Sequence, residues 1–334
     1  MPSLFNGELE KIALIHEEKY SEFLSMHWRP LTSNDNYSIP DKRVPGKNCI
    51  IMQGPINTYK NFTFETIKLY NKIFPNIDII LSTWSDENIN LLQEIGKLTV
   101  KIILSEKPQY QGIANINLHI ISTSAGIKYA HEKKYHYILK TRTDCRIHAP
   151  DFFIHAFDLL GCYPLTAEIK NIQKDRLVSI GEGSKYALFQ IPDKNMFGHI
   201  SDMLKYWSPP LDSRETIPDN NLKFAAKFGV AESYFFKKYF SDLGLTIDYT
   251  LNWYWKIVAD HFIVMDWHSA DIYWCKYNRY REFKTTHYFG PSSFDSFGFK
   301  DWLRVYRNKV QLNDNEQIIL RQHGAILSDL AGFN

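Results

Sequence analysis

Cysteine is scarce and scattered in this sequence. Cys49, Cys145, Cys162 and Cys275 are the only four in 334 residues, with no CxxC and no Cys/His cluster among them. That excludes zinc ribbons, redox dithiols and disulfide scaffolds as first readings. Long apolar runs are missing too, none approaching the roughly 18–20 residues that span a bilayer. Neither sign of charge is in excess: 39 Lys+Arg stand against 37 Asp+Glu, a formal net charge of +2. So small a field does not hold nucleic acid through many phosphate contacts. The patterns GxxxxGK[ST] and GxGxxG are absent, which argues against P-loop ATPases and nicotinamide dehydrogenases. There is no internal repeat and no low-complexity tract. The opening stretch, MPSLFNGELEKIALIHEEK, carries early acids and no small-residue cleavage site. Together with the dispersed thiols it predicts a cytoplasmic protein rather than a secreted one.

What is abundant is aromatic side chains, 15% of the chain, with 8 Trp, 20 Tyr and 22 Phe. Flat apolar rings fill cores, and they also make platforms for sugars and bases. Residues 9–27 place Leu9, Ile12, Tyr20, Phe23 and Leu24 near helical spacing among Glu and Lys, and a Pro- and Asn-rich loop follows to residue 47. From 48 to 147 apolar strands alternate with helices. Strands are predicted at Asn48–Gln53, Asp78–Trp84, Thr99–Leu104 and Tyr135–Lys140, and helices at 61–73, 86–95 and 115–131. Such a series predicts an α/β fold, a mostly parallel, Rossmann-like sheet flanked by helices. Beyond 150 the regularity fails and the C-terminal half reads as α+β. Strand-like Tyr186–Ile191 leads to Asp193–Gly198, with helices at 199–207 and 230–241 and further helix within 299–330.

Ligands of open α/β sheets bind outside the carboxyl ends of the strands. The segments there are Gln53-Gly54-Pro55, Ser82-Thr83-Trp84 and Lys140-Thr141-Arg142-Thr143-Asp144, which makes them candidate ligand-binding residues. Gln53-Gly54-Pro55 is either a tight turn alone or a place where Gly54 lets a nucleotide approach the backbone. Charges at the end of a buried strand are costly unless paired or liganded. Asp144 therefore either closes an ion pair with Arg142, or holds Mn²⁺ or Mg²⁺ while Arg142 and Lys140 offset diphosphate charge. Asp260, His261, Asp266, His268 and Asp271 form a second dense polar group, and Trp253, Tyr254, Trp255, Trp267, Tyr273 and Trp274 are rings for the core or for an acceptor platform.

The set IIMQGPI at 50–56, DIILSTW at 78–84, Ser122-Thr-Ser-Ala-Gly126 and YILKTRTD at 137–144 resembles the WavE lipopolysaccharide-synthesis family over roughly residues 48–290. That resemblance implies a GT-A-like fold and glycosyl transfer to bacterial surface polysaccharide. It puts Arg142-Thr143-Asp144 in the place of the Asp-x-Asp motif, with arginine where the first acid stands, so only Asp144 carries over as a metal ligand. By the same likeness Glu232 is the catalytic base, with Asp193 in reserve, and His287 is a further ligand of a divalent cation (Mn²⁺ or Mg²⁺). The implied division is an N-terminal helix and loop (1–47), a nucleotide-sugar-binding half (48–150), an acceptor-binding and catalytic half (151–290) and a helical extension (291–334). The implied partners are a nucleotide-sugar donor and a glycan or lipid-linked oligosaccharide acceptor, with no nucleic acid. Peripheral contact with the inner face of the inner membrane would follow from a lipid-linked acceptor. Two alternatives stay open at this point: a nucleotidyltransferase, disfavoured because the turn after the first strand lacks a basic residue, and a non-catalytic nucleotide-sugar or carbohydrate binder.

Overall fold

The computed structural model describes residues 11–12, 14–19, 44–181, 183–185, 187–214, 231–275 and 296–307. The chain separates into two compact units, Met1–Asp35 and Asn36–Asn334. In the first unit, residues 11–12 and 14–19 are helical, inside the helix expected at 9–27.

The second unit is built on a seven-stranded sheet of order β3-β2-β1-β4-β8-β6-β9. Its first strands are β1 (Asn48–Gln53), β2 (Asp78–Trp84), β3 (Lys101–Ser105) and β4 (Tyr137–Arg142), all parallel. β1 is buried at every position, as a continuous apolar run covered on both faces must be. The connecting helices are α1 (Phe62–Ile73), α2 (Ile89–Ile95) and α3 (Ile116–Glu132). Past β4 come β5 (Cys145–Ile147), α4 (Phe152–Cys162), β6 (Leu177–Ile180), β7 (Gly183–Ser184), β8 (Asn195–His199) and α5 (Ile200–Trp207). The remainder is α6 (Ala231–Asp242), α7 (Leu251–His261), β9 (Phe262–Met265), α8 (Trp267–Ala270), β10 (Ile272–Trp274), β11 (Ser296–Phe297) and α9 (Phe299–Tyr306). β8 runs antiparallel to both neighbours, β4 and β6, whereas β6 and β9 are parallel. The expected class, α/β with a mostly parallel sheet flanked by helices and a less regular C-terminal half, is the one observed. No helix among the described residues is long and apolar enough to cross a membrane.

Strand register decides which residues meet at the edge of the sheet. Gln53 lies opposite Ser82 on one side and Arg142 on the other, so β1 and β4 end level while β2 runs two residues further, to Trp84. β8 enters the sheet against the direction of β4, with Met196 opposite Lys140. Its leading residues, Asp193 and Lys194, therefore arrive where the parallel strands leave.

Helix α3 lies close against β1 and β2 because Gly126 has no side chain. A Cβ there would stand 2.6 Å from Ile51 Cγ2 and 3.1 Å from Ser82 Cβ. Gly126→Ala gains about 1 kcal/mol of helix propensity but overpacks a rigid contact at about 1–3 kcal/mol. The expected net result is a modest loss, read as a lower melting temperature; an unchanged or raised value would contradict this packing.

Several element limits shift from the sequence reading: β3 is Lys101–Ser105 rather than Thr99–Leu104, the helix expected from residue 86 begins at Ile89, and β4 ends at Arg142. β4 begins at Tyr137 rather than Tyr135, because the chain closes α3 first: Lys134 has φ +58° and the Tyr135 amide donates to Ala130 O. Strand-like 186–191 is not a strand at its described positions, which form a bend and turn. Phe189 there takes φ +65° and packs its ring on Phe236, Tyr249 and Tyr254. The apolar alternation serves an aromatic plug. Much of the ring content is spent in the core this way, Tyr254 and Trp255 included.

Candidate active site

A cleft of about 1180 Å³ opens over the carboxyl ends of these strands. Gln53, Gly54, Pro55, Trp84, Arg142, Asp144, Asp193 and Glu232 all line it, so eight of the residues singled out in the sequence meet at one place. Ser82, Thr83, Lys140 and Thr141 do not line it; they are wholly buried below its floor. Their polar atoms are turned to internal partners. Ser82 Oγ donates to Ser122 O at 2.6 Å, Thr83 Oγ1 to Glu87 Oε1 at 2.9 Å and Thr141 Oγ1 to Asn195 Oδ1 at 2.6 Å. These four form a supporting layer beneath the cleft, Ser82 and Thr83 within β2 and Lys140 and Thr141 within β4, which runs on to Arg142. His287 lies outside the described residues.

The turn after β1 is fixed from three sides. Gly54 has φ +113°, a conformation that favours glycine, and a Cβ on it would meet Thr143 Oγ1 at 3.2 Å. Its amide donates to Ser82 O at 3.1 Å, and Thr143 Oγ1 donates to Pro55 O at 2.6 Å. Glu87 Oε1 accepts from the Ile56 amide at 2.8 Å.

At the end of β4, Arg142 and Asp144 form a two-pronged ion pair. Nε and Nη2 of Arg142 donate to Oδ1 and Oδ2 of Asp144, each at 2.8 Å. β10 pairs with β5 so that Trp274 faces Cys145, and its indole N–H donates to Asp144 Oδ2 at 3.3 Å. Burial opposes the charge of Arg142, but the bonded Asp144 carboxylate outweighs it and keeps the guanidinium charged. Lys194 lies beside this pair, its Nζ 3.7 Å from the Trp274 ring centroid and 5.3 Å from that of Trp267. Burial lowers its pKa.

A second, buried charge group lies deeper. Lys140 is 0% exposed. Its ammonium donates to the carbonyls of Asp193 and Lys194 and stands 2.9 Å from His119 Nε2 and 4.2 Å from the Trp207 ring centroid. His119 Nδ1 is 3.3 Å from Asp193 Oδ2. A neutral imidazole with its proton on Nδ1 satisfies both contacts, accepting from Lys140 and donating to Asp193. Burial and the neighbouring ammonium hold His119 down at about 4, and burial holds Lys140 down at about 7. For Asp193 burial works the other way, but the His119 hydrogen bond and the Lys140 charge win and keep its carboxyl well below the usual range. Glu232, in the first turn of α6, is pushed up to about 7 by burial and then by the charge of Asp193. Two carboxyls in one cleft are thus driven apart, one firmly ionised and one poised near neutrality.

The described residues do not fit a divalent cation at Asp144. Such an ion takes carboxylate oxygens as ligands, and here both are bonded to a guanidinium that would also repel it. No group of three or more His, Cys, Asp or Glu among the described residues is placed to hold a metal. The polar group at 260–271 is dispersed as well. Asp260 pairs with Lys256 at 2.5 Å, His261 Nδ1 is 2.7 Å from Gln173 Oε1, and Asp266 accepts from the Phe299 amide at 2.8 Å.

The profile of the WavE lipopolysaccharide synthesis family matches residues 49–238, more than half of the 334 residues. The chain belongs to this family. The WavE match reaches from β1 into α6 and so takes in Gln53, Arg142, Asp144, Asp193 and Glu232, but stops before Trp274 and short of the 290 expected from the motifs. Comparison with curated sequences returns no match. Among solved structures, a 4-diphosphocytidyl-2C-methyl-D-erythritol synthase from Anaerococcus prevotii is 12% identical, with 55% of this chain and 83% of that one covered and a TM-score of 0.33. A glycosyltransferase involved in glycosylation of the major capsid of PBCV-1 is 18% identical, covering 48% of this chain and 66% of that one at a TM-score of 0.27. A mannose-1-phosphate geranyltransferase from Thermus thermophilus is 10% identical, covering 40% and 41% at 0.28; this alignment spans less than half of that chain.

His119, Lys194 and Glu87 are site residues that the sequence pattern does not single out. Lys194 is within its reach, since it directly follows Asp193 in a segment that the pattern marks. His119 gives no local signal, being one polar residue in an ordinary helical pattern.

Proposed function

We propose that this WavE-family protein is a glycosyltransferase that moves a sugar from a nucleotide-activated donor to a lipopolysaccharide or capsule glycan. The observation that carries this reading is the meeting, in one large cleft at the strand ends, of two cations and a carboxyl poised near pH 7. The volume exceeds the ~300–1,000 Å³ usual for a small-molecule site, which suits a donor together with the end of an acceptor. In the reaction, the acceptor hydroxyl oxygen attacks the anomeric carbon while its proton passes to the Glu232 carboxylate. The bond from that carbon to the donor's phosphate oxygen breaks, its electron pair leaving with the nucleotide. Arg142 and Lys194 meet the charge that develops on the leaving phosphate. Asp193 stays ionised, held by His119 and Lys140, and its charge adds to the burial that raises the pKa of Glu232. A single displacement of this kind inverts the anomeric configuration.

A panel of UDP-, GDP-, dTDP- and CMP-sugars, each incubated with the protein with and without Mn²⁺, tests the reading. Release of free nucleotide from one donor is the expected result. Pyrophosphate release from a nucleoside triphosphate and a sugar phosphate would instead make the protein a nucleotidyltransferase. Thermal stabilisation by a nucleotide sugar with no turnover, in the presence of acceptor glycan, would make it a binder.

A further inference from the structure

We propose that the cleft neutralises the donor's phosphates with its own side chains, Arg142 and Lys194, in place of a divalent metal ion, with Asp144 serving as the clamp that aims the guanidinium. This rests on the nucleotide-sugar reading of the same cleft. Charge arithmetic is the first ground. Two acids flanking position 143 would carry −2 and need a dication to reach zero; Arg142 and Asp144 carry +1 and −1 and are at zero already. Donor capacity is the second. A guanidinium has five N–H groups, and Asp144 takes two of Arg142's, Nε and Nη2. Arg142 lines the cleft, and the N–H groups that Asp144 leaves over match the paired oxygens of a phosphate.

Lys194 supplies the second cation. Lys194 lines the cleft, and its ammonium rests on Trp274. One indole therefore serves both cations, its face beneath Lys194 and its N–H on the carboxylate that clamps Arg142. The Asp-x-Asp spacing is retained with a changed task. The acid at 144 orients a fixed cation and does not recruit a diffusible one.

Isothermal titration of the full-length protein tests this with UDP, GDP and CMP, each in EDTA and in Mn²⁺, and with the free nucleosides as controls. The expected result is a nucleotide whose Kd agrees within about threefold between the two buffers, and which Lys194→Gln weakens by about tenfold, an ordinary loss for one charge-assisted phosphate contact. Nucleoside affinity should not change in that variant. Lys194→Gln is the main probe because Arg142→Gln leaves Asp144 without its partner and can unfold the protein. If Mn²⁺ tightens nucleotide binding by more than about tenfold, or if Lys194→Gln binds as tightly as the unaltered protein, the inference is overturned while the donor site stands. If none of the three nucleotides binds in either buffer, the donor reading falls and the inference falls with it.

Discussion

Glu232→Gln is expected to lower the turnover number by about a thousandfold, within the range for loss of a general base, while nucleotide binding persists. Glutamine keeps the shape and the hydrogen-bonding reach of the side chain but cannot take a proton. The pH profile gives the sharper measurement. Burial and the Asp193 charge push Glu232 up to about 7, and only the ionised form accepts the acceptor's proton. In the unaltered enzyme kcat/KM should therefore rise with pH to a plateau above about 7, and the variant should lack that limb. A variant with unchanged turnover, or one that keeps the limb, would remove Glu232 from the chemistry.

Asp193→Asn is expected to act on stability and on the pH profile together. The Lys140 ammonium has no exposed surface, and its counter-charge is Asp193. Asparagine keeps the backbone carbonyl that Lys140 bonds but removes the carboxylate that His119 contacts and whose charge favours the ammonium, so a lower melting temperature is expected at neutral pH. The sign with pH follows from the depressed folded pKa of Asp193. Its contribution is complete above the ordinary carboxylate range near 4 and is lost as the pH falls through the lower folded value, so the two melting temperatures should converge only in strong acid. The same substitution removes a negative charge beside Glu232, and the rising limb of kcat/KM should move below pH 7. A limb that stays in place, with stability also unchanged, would mean that the two carboxyls do not share an environment.

The parts of the molecule legible in the sequence are those whose signal is local. β1 and β2 are found at their observed limits because each is an apolar run cut by a turn or a charge. The cleft follows from them, since ligands collect at the ends of parallel strands, whereas Glu232 comes from the resemblance to the WavE family, its place in the first turn of a helix being one that any acid favours. Less visible is anything that depends on where β8 joins the sheet. Neither its antiparallel direction nor its place beside β4 leaves a trace in its own five residues. Consequently Lys140 reads as a strand-end cation for phosphate, whereas β8 encloses it and gives it two carbonyls to bond. The Arg142–Asp144 pair is one of two readings open for that segment, and the choice between them requires Trp274, which lies 130 residues beyond the acid it holds.

The direction of β8 also bears on the order in which the protein assembles. The bonds from Lys140 to the chain entering β8 close sequence separations of 53 and 54 residues, and the indole bond closes 130. Such contacts contribute only after the entropy of bringing distant segments together has been overcome. The βα units of the first half are local and can mature earlier. A nascent chain that has completed them holds the strand ends but not the charged centre, which forms only when the far half of the sheet has docked.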